Sequence, residues 1–295
     1  MPKIKKNIVD IKTSATLAIN ELSQKLKNRG KEIYKFGLGQ SPFPVPQIIV
    51  EELKKNARQK NYINVSGLIE LRNLVAQYHT IKNKNNYTAD NVIIGPGSKE
   101  LIFHTQLVLD CDVLLPSPSW VSYEPQAQIL NKKIHWIKTD ATTNWHITPD
   151  DLDKISQNLH QVEKLLILNS PNNPSGTTHN NLEALALIAK KNNIIVLSDE
   201  IYAELDFSGK YKSMSHYYPE GTIISSGLSK WCGAGGWRIG SLTFPKELKL
   251  IKNMVRNVAS ETFTAVSAPI QYASIKAYSE DHSQYLINSR KILEF

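Results

Sequence analysis

Gly227-Leu228-Ser229-Lys230-Trp231-Cys232-Gly233-Ala234-Gly235-Gly236-Trp237-Arg238-Ile239-Gly240 is the stretch on which the reading of this chain turns. A lysine sits among small residues, and an arginine follows eight positions later. An amine that condenses with a planar aldehyde ring needs room, which Ser, Gly and Ala neighbours leave. A guanidinium is a planar, permanently charged fork that grips a phosphate through two hydrogen bonds. The pair therefore suits a Schiff-base lysine beside an anion site. Upstream, Leu197-Ser198-Asp199-Glu200-Ile201-Tyr202 is an apolar run that delivers two adjacent acids and a tyrosine. Asp199 and Glu200 compete there for the position facing a ligand.

Outward from these motifs, short apolar segments alternate with helical patterns. Val92-Ile93-Ile94 precedes a helix over 98–109, and Val113-Leu114-Leu115 precedes one over 121–131. Ile134–Ile137, Leu165–Leu168 and Ile194–Leu197 continue the series. The alternation predicts an α/β fold with a mainly parallel sheet covered by helices on both faces. Ligands in such sheets bind beyond the carboxyl ends of the strands, where the polar motifs of this chain fall. Nearer the start, a helix is predicted over 14–29 with Ser14 as N-cap and Gly30 past its last turn. A short strand from Ile33 to Phe36 then runs into the loop fixed by Pro42, Pro44 and Pro46, and helices follow at 47–59 and 67–82. After Pro269 the residues to Phe295 read as one long helix.

Composition sets the outer limits. A chain of 295 residues, 41% hydrophobic and 21% charged, is long enough to bury a large core in one large or two smaller domains. No apolar run approaches a membrane span. Lys3, Lys5 and Lys6 are not followed by an apolar stretch, so no secretory signal is read. The two cysteines, Cys111 and Cys232, make no disulfide framework and fit a reduced, cytoplasmic protein. The net charge of +8 is dispersed without a basic, aromatic-interleaved patch, which disfavours nucleic acid. The eight histidines show no metal-ligand spacing.

Three further loops carry chemistry. Gly95-Pro96-Gly97-Ser98-Lys99-Glu100 lies where a strand meets a helix; free N–H groups and the helix dipole make a phosphate seat there, for which Gly97, Ser98 and Lys99 are candidates. Asn169-Ser170-Pro171-Asn172-Asn173-Pro174-Ser175-Gly176-Thr177 follows another strand and is stiffened by two prolines and a glycine. Ser117-Pro118-Ser119-Trp120-Val121-Ser122-Tyr123 places Trp120 where it can cover a ring.

In this order the motifs resemble those of the pyridoxal-phosphate (PLP) enzymes of fold type I, specifically the class I/II aminotransferases, from about Ser14 to the last residues. The resemblance implies that Lys230 binds PLP covalently and then moves the substrate's Cα proton. It assigns Asp199, rather than Glu200, to the pyridine nitrogen, and Tyr202 and Asn173 to the ring oxygen. Trp120 stacks on the ring, in a pattern like the aspartate-aminotransferase branch. Arg238, with Ser226 and Ser229 as alternative serines, completes the phosphate cup. Tyr62 resembles a tyrosine that reaches a partner's cofactor phosphate, implying a homodimer, and Gly39 resembles a glycine that touches the substrate carboxylate. Trp120 and Asn173 also border the expected substrate position. Ser170 departs from the family pattern, where proline is usual.

The expected activity is transfer of an amino group from an L-amino acid to a 2-oxo acid. A PLP lyase of the C–S type, or a PLP-binding chain without turnover, shares nearly all of these residues. The expected domains are 1–46, an arm and the first part of a small domain; 47–265, the large PLP-binding domain; and 266–295, an interdomain helix and the start of a small domain that looks incomplete. Relatives continue past this point, and no residue here matches their carboxylate-clamping arginine. Impaired substrate binding is therefore expected of the 295-residue chain.

Overall fold

A computed structural model describes residues 2–37, 39–159 and 163–295. Seven strands form one sheet: β1 (Val92–Gly95), β2 (Asp112–Ser117), β3 (Ile134–Lys138), β4 (Lys164–Asn169), β5 (Ile195–Asp199), β6 (Thr222–Gly227) and β7 (Gly240–Thr243). Their order is β1-β7-β6-β5-β4-β2-β3, and only β7 runs antiparallel to its neighbours. The helices are α1 (Lys6–Val9), α2 (Ala15–Asn28), α3 (Gln47–Asn56), α4 (Ile69–Asn83), α5 (Ser98–Val108), α6 (Tyr123–Ile129), α7 (Pro149–Gln157), α8 (Leu182–Lys191), α9 (Lys249–Glu261), α10 (Ala268–Ser279) and α11 (Ser283–Glu294).

The central strands are apolar on both faces because helices cover both. Leu166, Leu168 and Val196 pack against Leu152 of α7 and Leu182 and Leu185 of α8. The alternate residues Leu165, Ile167 and Leu197 face Ile102 of α5 and Tyr123 and Ala127 of α6. Alternation of this kind follows from the pleat, and near-continuous burial is what a covered parallel sheet requires. A second pair of layers repeats the scheme at the β1 end. There Val92 and Ile94 join α3, α4 and α10, while Ile93 and Leu242 join α9 through Val255. Gly95, Gly240 and Gly227 lie side by side across β1, β7 and β6.

The α/β class and the two-sided helix cover match the sequence reading, and four local expectations need correction. Residues 33–36 form no strand; Tyr34 and Phe36 are exposed, without a ladder to any described strand. Ser14 is the N-cap residue of α2, its carbonyl accepting the Ala18 N–H at 2.9 Å, but its hydroxyl pairs with Thr16 Oγ1 at 3.0 Å and makes no cap bond. The helix after Pro269 is two helices, broken at 280–282, where Asp281 Oδ1 accepts the Ser283 N–H at 2.9 Å and so starts α11 afresh. Strands β6 and β7 were not expected, since Ser225, Ser226 and Gly227 dilute the apolar signal of Ile223 and Ile224.

Candidate active site

A cleft of about 540 Å³ opens at the carboxyl ends of β4, β5 and β6. Its wall includes Gly39, Ser98, Lys99, Trp120, Asn173, Asp199, Tyr202, Ser229, Lys230 and Arg238. Ten residues predicted from scattered motifs thus meet in one place.

Strand register decides between the two acids. Asn169, Asp199 and Ser225 sit side by side on β4, β5 and β6. Asp199 shares the face of Leu197, toward α5 and α6, and there Tyr123 donates its hydroxyl to Asp199 Oδ2 at 2.7 Å. The Ser225 hydroxyl stands 3.5 Å from Asp199 Oδ1. Glu200 turns to the opposite side, where its Oε1 accepts the hydroxyls of Ser198, at 2.8 Å, and of Ser213. It does not line the cleft. Burial pushes the Asp199 carboxyl up to about 6, although Tyr123, the Ile201 amide, Ser225 and the charge of Lys230 all favour its ionised form. It is a buried acid that lacks a full countercharge.

Lys230 leaves the end of β6 on a turn. Its Nζ donates to the Gly39 carbonyl at 2.7 Å and lies 5.3 Å from the centre of the Tyr202 ring. Burial lowers its pKa from the ordinary lysine value, Asp199 opposes that shift, and Arg238 adds to it. Asn173 Nδ2 donates to the Tyr202 hydroxyl at 3.4 Å, so the two proposed ring-oxygen contacts already adjoin. Asn169 holds both loops: its Nδ2 donates to the Asp199 carbonyl at 2.8 Å and its Oδ1 accepts the Asn173 N–H at 2.8 Å.

On the other side, Lys99 Nζ sits 5.0 Å above the Trp120 ring, which meets Tyr123 edge-on at 5.3 Å. Arg238 donates to the carbonyls of Gly235, at 2.9 Å, and Pro96, at 3.2 Å. Its guanidinium lies so close over Gly97 that a Cβ there would stand 2.3 Å from Nη2, and Gly97 has φ +88°. Only glycine serves at that position, at the entry to the 11-residue helix α5. Arg238 also lowers the pKa of Lys99, after burial as the larger cause. Two cations therefore lie at a helix N-terminus, while Lys230 shares the rest of the cleft wall with one buried acid.

Two candidates stand apart from this cleft. Ser226 is buried within β6 beside Ser241 and does not line the cleft, because Ser225 takes the face toward Asp199 and alternation sends its neighbour the other way. Ser229 is the serine on the wall. Tyr62 is 93% exposed and forms no part of the cleft wall of its own chain. Sequence reasoning missed Tyr123 and Asn169 as supports. The signals were present, an aromatic hydroxyl three residues after Trp120 and an amide at a strand end, but their partners become visible only with the register. Among the described residues no cluster of three or more His, Cys, Asp or Glu is placed to hold a metal, and no helix is long and apolar enough to cross a membrane.

The chain matches the family model described as aminotransferase class I and II over residues 31–295. It is 30% identical to the aspartate aminotransferase of Bacillus subtilis (strain 168), over 94% of this chain and 72% of the relative. With the aspartate aminotransferase of Geobacillus stearothermophilus the identity is 32% over the same shares. The structure of the Thermus thermophilus aspartate aminotransferase with maleate superposes with a TM-score of 0.91 at 26% identity, covering 99% of this chain and 77% of that one. The family model spans most of the chain and the fold is shared with a solved relative, so this protein belongs to the class I and II aminotransferases.

Proposed function

We propose that the protein binds PLP through Lys230 and moves an amino group from an L-amino acid, aspartate or a close analogue, to a 2-oxo acid. The observation that carries the cofactor assignment is one cleft that holds Lys99 and Arg238 at the start of α5 and, elsewhere on its wall with Lys230, the undercompensated Asp199. A ligand with a dianionic phosphate at one end and a basic nitrogen at the other relieves both imbalances. The donor set fits PLP in kind as well. A lysine of lowered pKa is available for the aldehyde, and a phenol and a carboxamide stand together for the ring oxygen.

When bound, PLP withdraws electrons from the substrate's Cα–H bond. The chain's own residues do the rest. Asp199 holds the proton of the ring nitrogen, and Tyr123 keeps that carboxylate oriented. Tyr202 and Asn173 donate to the ring oxygen, and Trp120 excludes water from one ring face. Arg238, Lys99, Ser229 and the amides of Gly97 and Ser98 hold the phosphate. Lys230, its pKa lowered by burial, is the base that takes the Cα proton. Gly39 contributes its backbone near the substrate carboxylate. The aspartate preference is supported by relatives named for that activity; another, from Streptococcus mutans serotype c, is named an asparagine–oxo-acid transaminase.

We also assign residues 47–265 as the cofactor-binding domain, with 1–46 and 266–295 contributing to a second, smaller one. A homodimer is supported by Tyr62, which is exposed in its own chain and available to a partner's phosphate site. Borohydride reduction of the PLP-loaded protein followed by peptide mapping tests the attachment, with the pyridoxyl group expected on Lys230. A label on another lysine refutes it. The amino acids that bleach the visible band, and the 2-oxo acids that restore it, then define the substrates.

A further inference from the structure

Beneath the Asn169–Thr177 loop two histidines that the site does not use stack face to face. His146 and His179 are both buried, with ring centroids 4.6 Å apart and planes 12° from parallel. The bonding of His179 fixes its form. Its Nε2 donates to the Ile147 carbonyl at 3.1 Å and its Nδ1 accepts the Asn181 N–H at 3.2 Å, so the ring is neutral with both nitrogens committed. Burial, with His146 alongside, holds its pKa down to about 4. The backbone N–H of His179 donates to Ser170 Oγ at 3.0 Å. Ser170 is the position where the sequence departs from the family pattern, and a proline there offers no such acceptor.

His146 reaches upward into the loop. Its Nε2 lies 2.9 Å from Thr177 Oγ1, which is 2.8 Å from Ser175 Oγ. Ser175 Oγ in turn accepts Asn172 Nδ2 at 2.8 Å. Asn172 and Thr177 are also joined through the backbone at 2.9 Å, closing the turn that carries Asn173. The ring of His146 further forms part of the wall of a cavity of about 20 Å³ shared with Tyr123 and Asn169, the two supports of the cleft. It is delivered there by a turn in which Asn144 and Trp145 have φ +53° and +61°, a conformation bulky residues rarely take.

We propose that the His146–His179 stack is a positioning element for Asn173, pinning the Asn172–Thr177 turn from below and so fixing the carboxamide that faces the cofactor's ring oxygen. The inference rests on the PLP reading above. Two variants separate its parts: His146→Phe keeps a ring on His179 but loses the bond to Thr177, and Thr177→Val removes only the hydroxyl at similar volume. In the PLP-loaded protein, the pH at which the visible chromophore changes form reports hydrogen bonds to the ring oxygen. A weakened donor leaves more negative charge on that oxygen, which favours the protonated form. The transition is therefore expected to rise in both variants by about one pH unit, the equivalent of one hydrogen bond. Asn173→Ala, which removes the donor itself, sets the scale.

In the cofactor-free protein, amide exchange over 169–179 is expected to quicken about tenfold in both variants, with the β1–α5 segment unchanged. If Asn173→Ala moves the chromophore and both loop variants leave it at the wild-type pH, the stack has no positioning role and the proposal falls. A wild-type protein that forms no chromophore with PLP overturns the cofactor reading instead, and the two failures are told apart by that control.

Discussion

Asp199 and Glu200 are neighbours in the chain and almost equally hidden, at 2% and 5% exposure, yet they look out on different surroundings. Burial raises both, Asp199 to about 6 and Glu200 to about 7, and outweighs the hydroxyl donors each has gathered. They differ in what is available to relieve them. Glu200 faces the interior, where the cation whose charge favours its ionised form is Lys82, itself paired with Glu204 and held down to about 8 by burial. Asp199 faces a cleft wide enough for a ligand, with Lys230 on the same wall. A raised carboxyl alone therefore marks burial; a raised carboxyl on an open wall marks a binding position.

The sharpest way to break the comparison is catalytic. Exchange of the Cα proton of a bound amino acid is expected to fall by about 10²–10³-fold in Asp199→Ala, the scale for loss of one preorganised charge contact. Glu200→Gln is expected to stay within a few-fold of wild type. Near-normal exchange in the first, or an equal loss in the second, erases the distinction.

Next in size is stability. Both acids hold their proton more tightly folded than unfolded, so their contribution is complete at low pH and is lost as pH rises through about 6 and about 7. In the cofactor-free protein, Asp199→Asn and Glu200→Gln should each gain on the order of 2–3 kcal/mol over wild type at pH 8, with little gain at pH 4. Adding PLP should cancel the gain at 199 and leave that at 200 intact. Urea unfolding across this pH range, with and without PLP, provides the measurement; parallel behaviour of the two variants contradicts the assignment. The smallest effect concerns Tyr123→Phe, which removes the 2.7 Å donor to Asp199. Asp199 should then titrate about one unit higher, with Glu200 unmoved, by carboxyl-carbon NMR.

What could be read from the residues alone follows the same division. Lys230, Arg238, Trp120 and Asn173 stand in local motifs, and local motifs survive without coordinates. The five strands found are the ones that carry apolar runs, from the fully buried β4 to the half-exposed edge strand β3. Strands β6 and β7 escaped because polar and glycine residues occupy the strand ends that approach the cleft. The choice of Ser229 over Ser226, and the partnership of Tyr123 with Asp199, depend on which face each residue takes, and a one-residue change of register would reverse them. The supposed strand at 33–36 failed because an extended, apolar-flecked segment is no strand until another backbone lies beside it.

The row of Gly227 and Gly240 has a consequence for distance. A Cβ on Gly227 would stand 2.9 Å from Gly240 Cα, and one on Gly240 would stand 2.5 Å from the Ser98 nitrogen. Two strands and the head of α5 thus touch backbone to backbone, and both Lys230 and Arg238 hang from the single loop that leaves and re-enters at this junction. The interval between the Lys230 amine and the Arg238 guanidinium is gauged along that short tether and not across the whole molecule. Sway in remote helices leaves the gauge unchanged, whereas one methyl group at either glycine resets it.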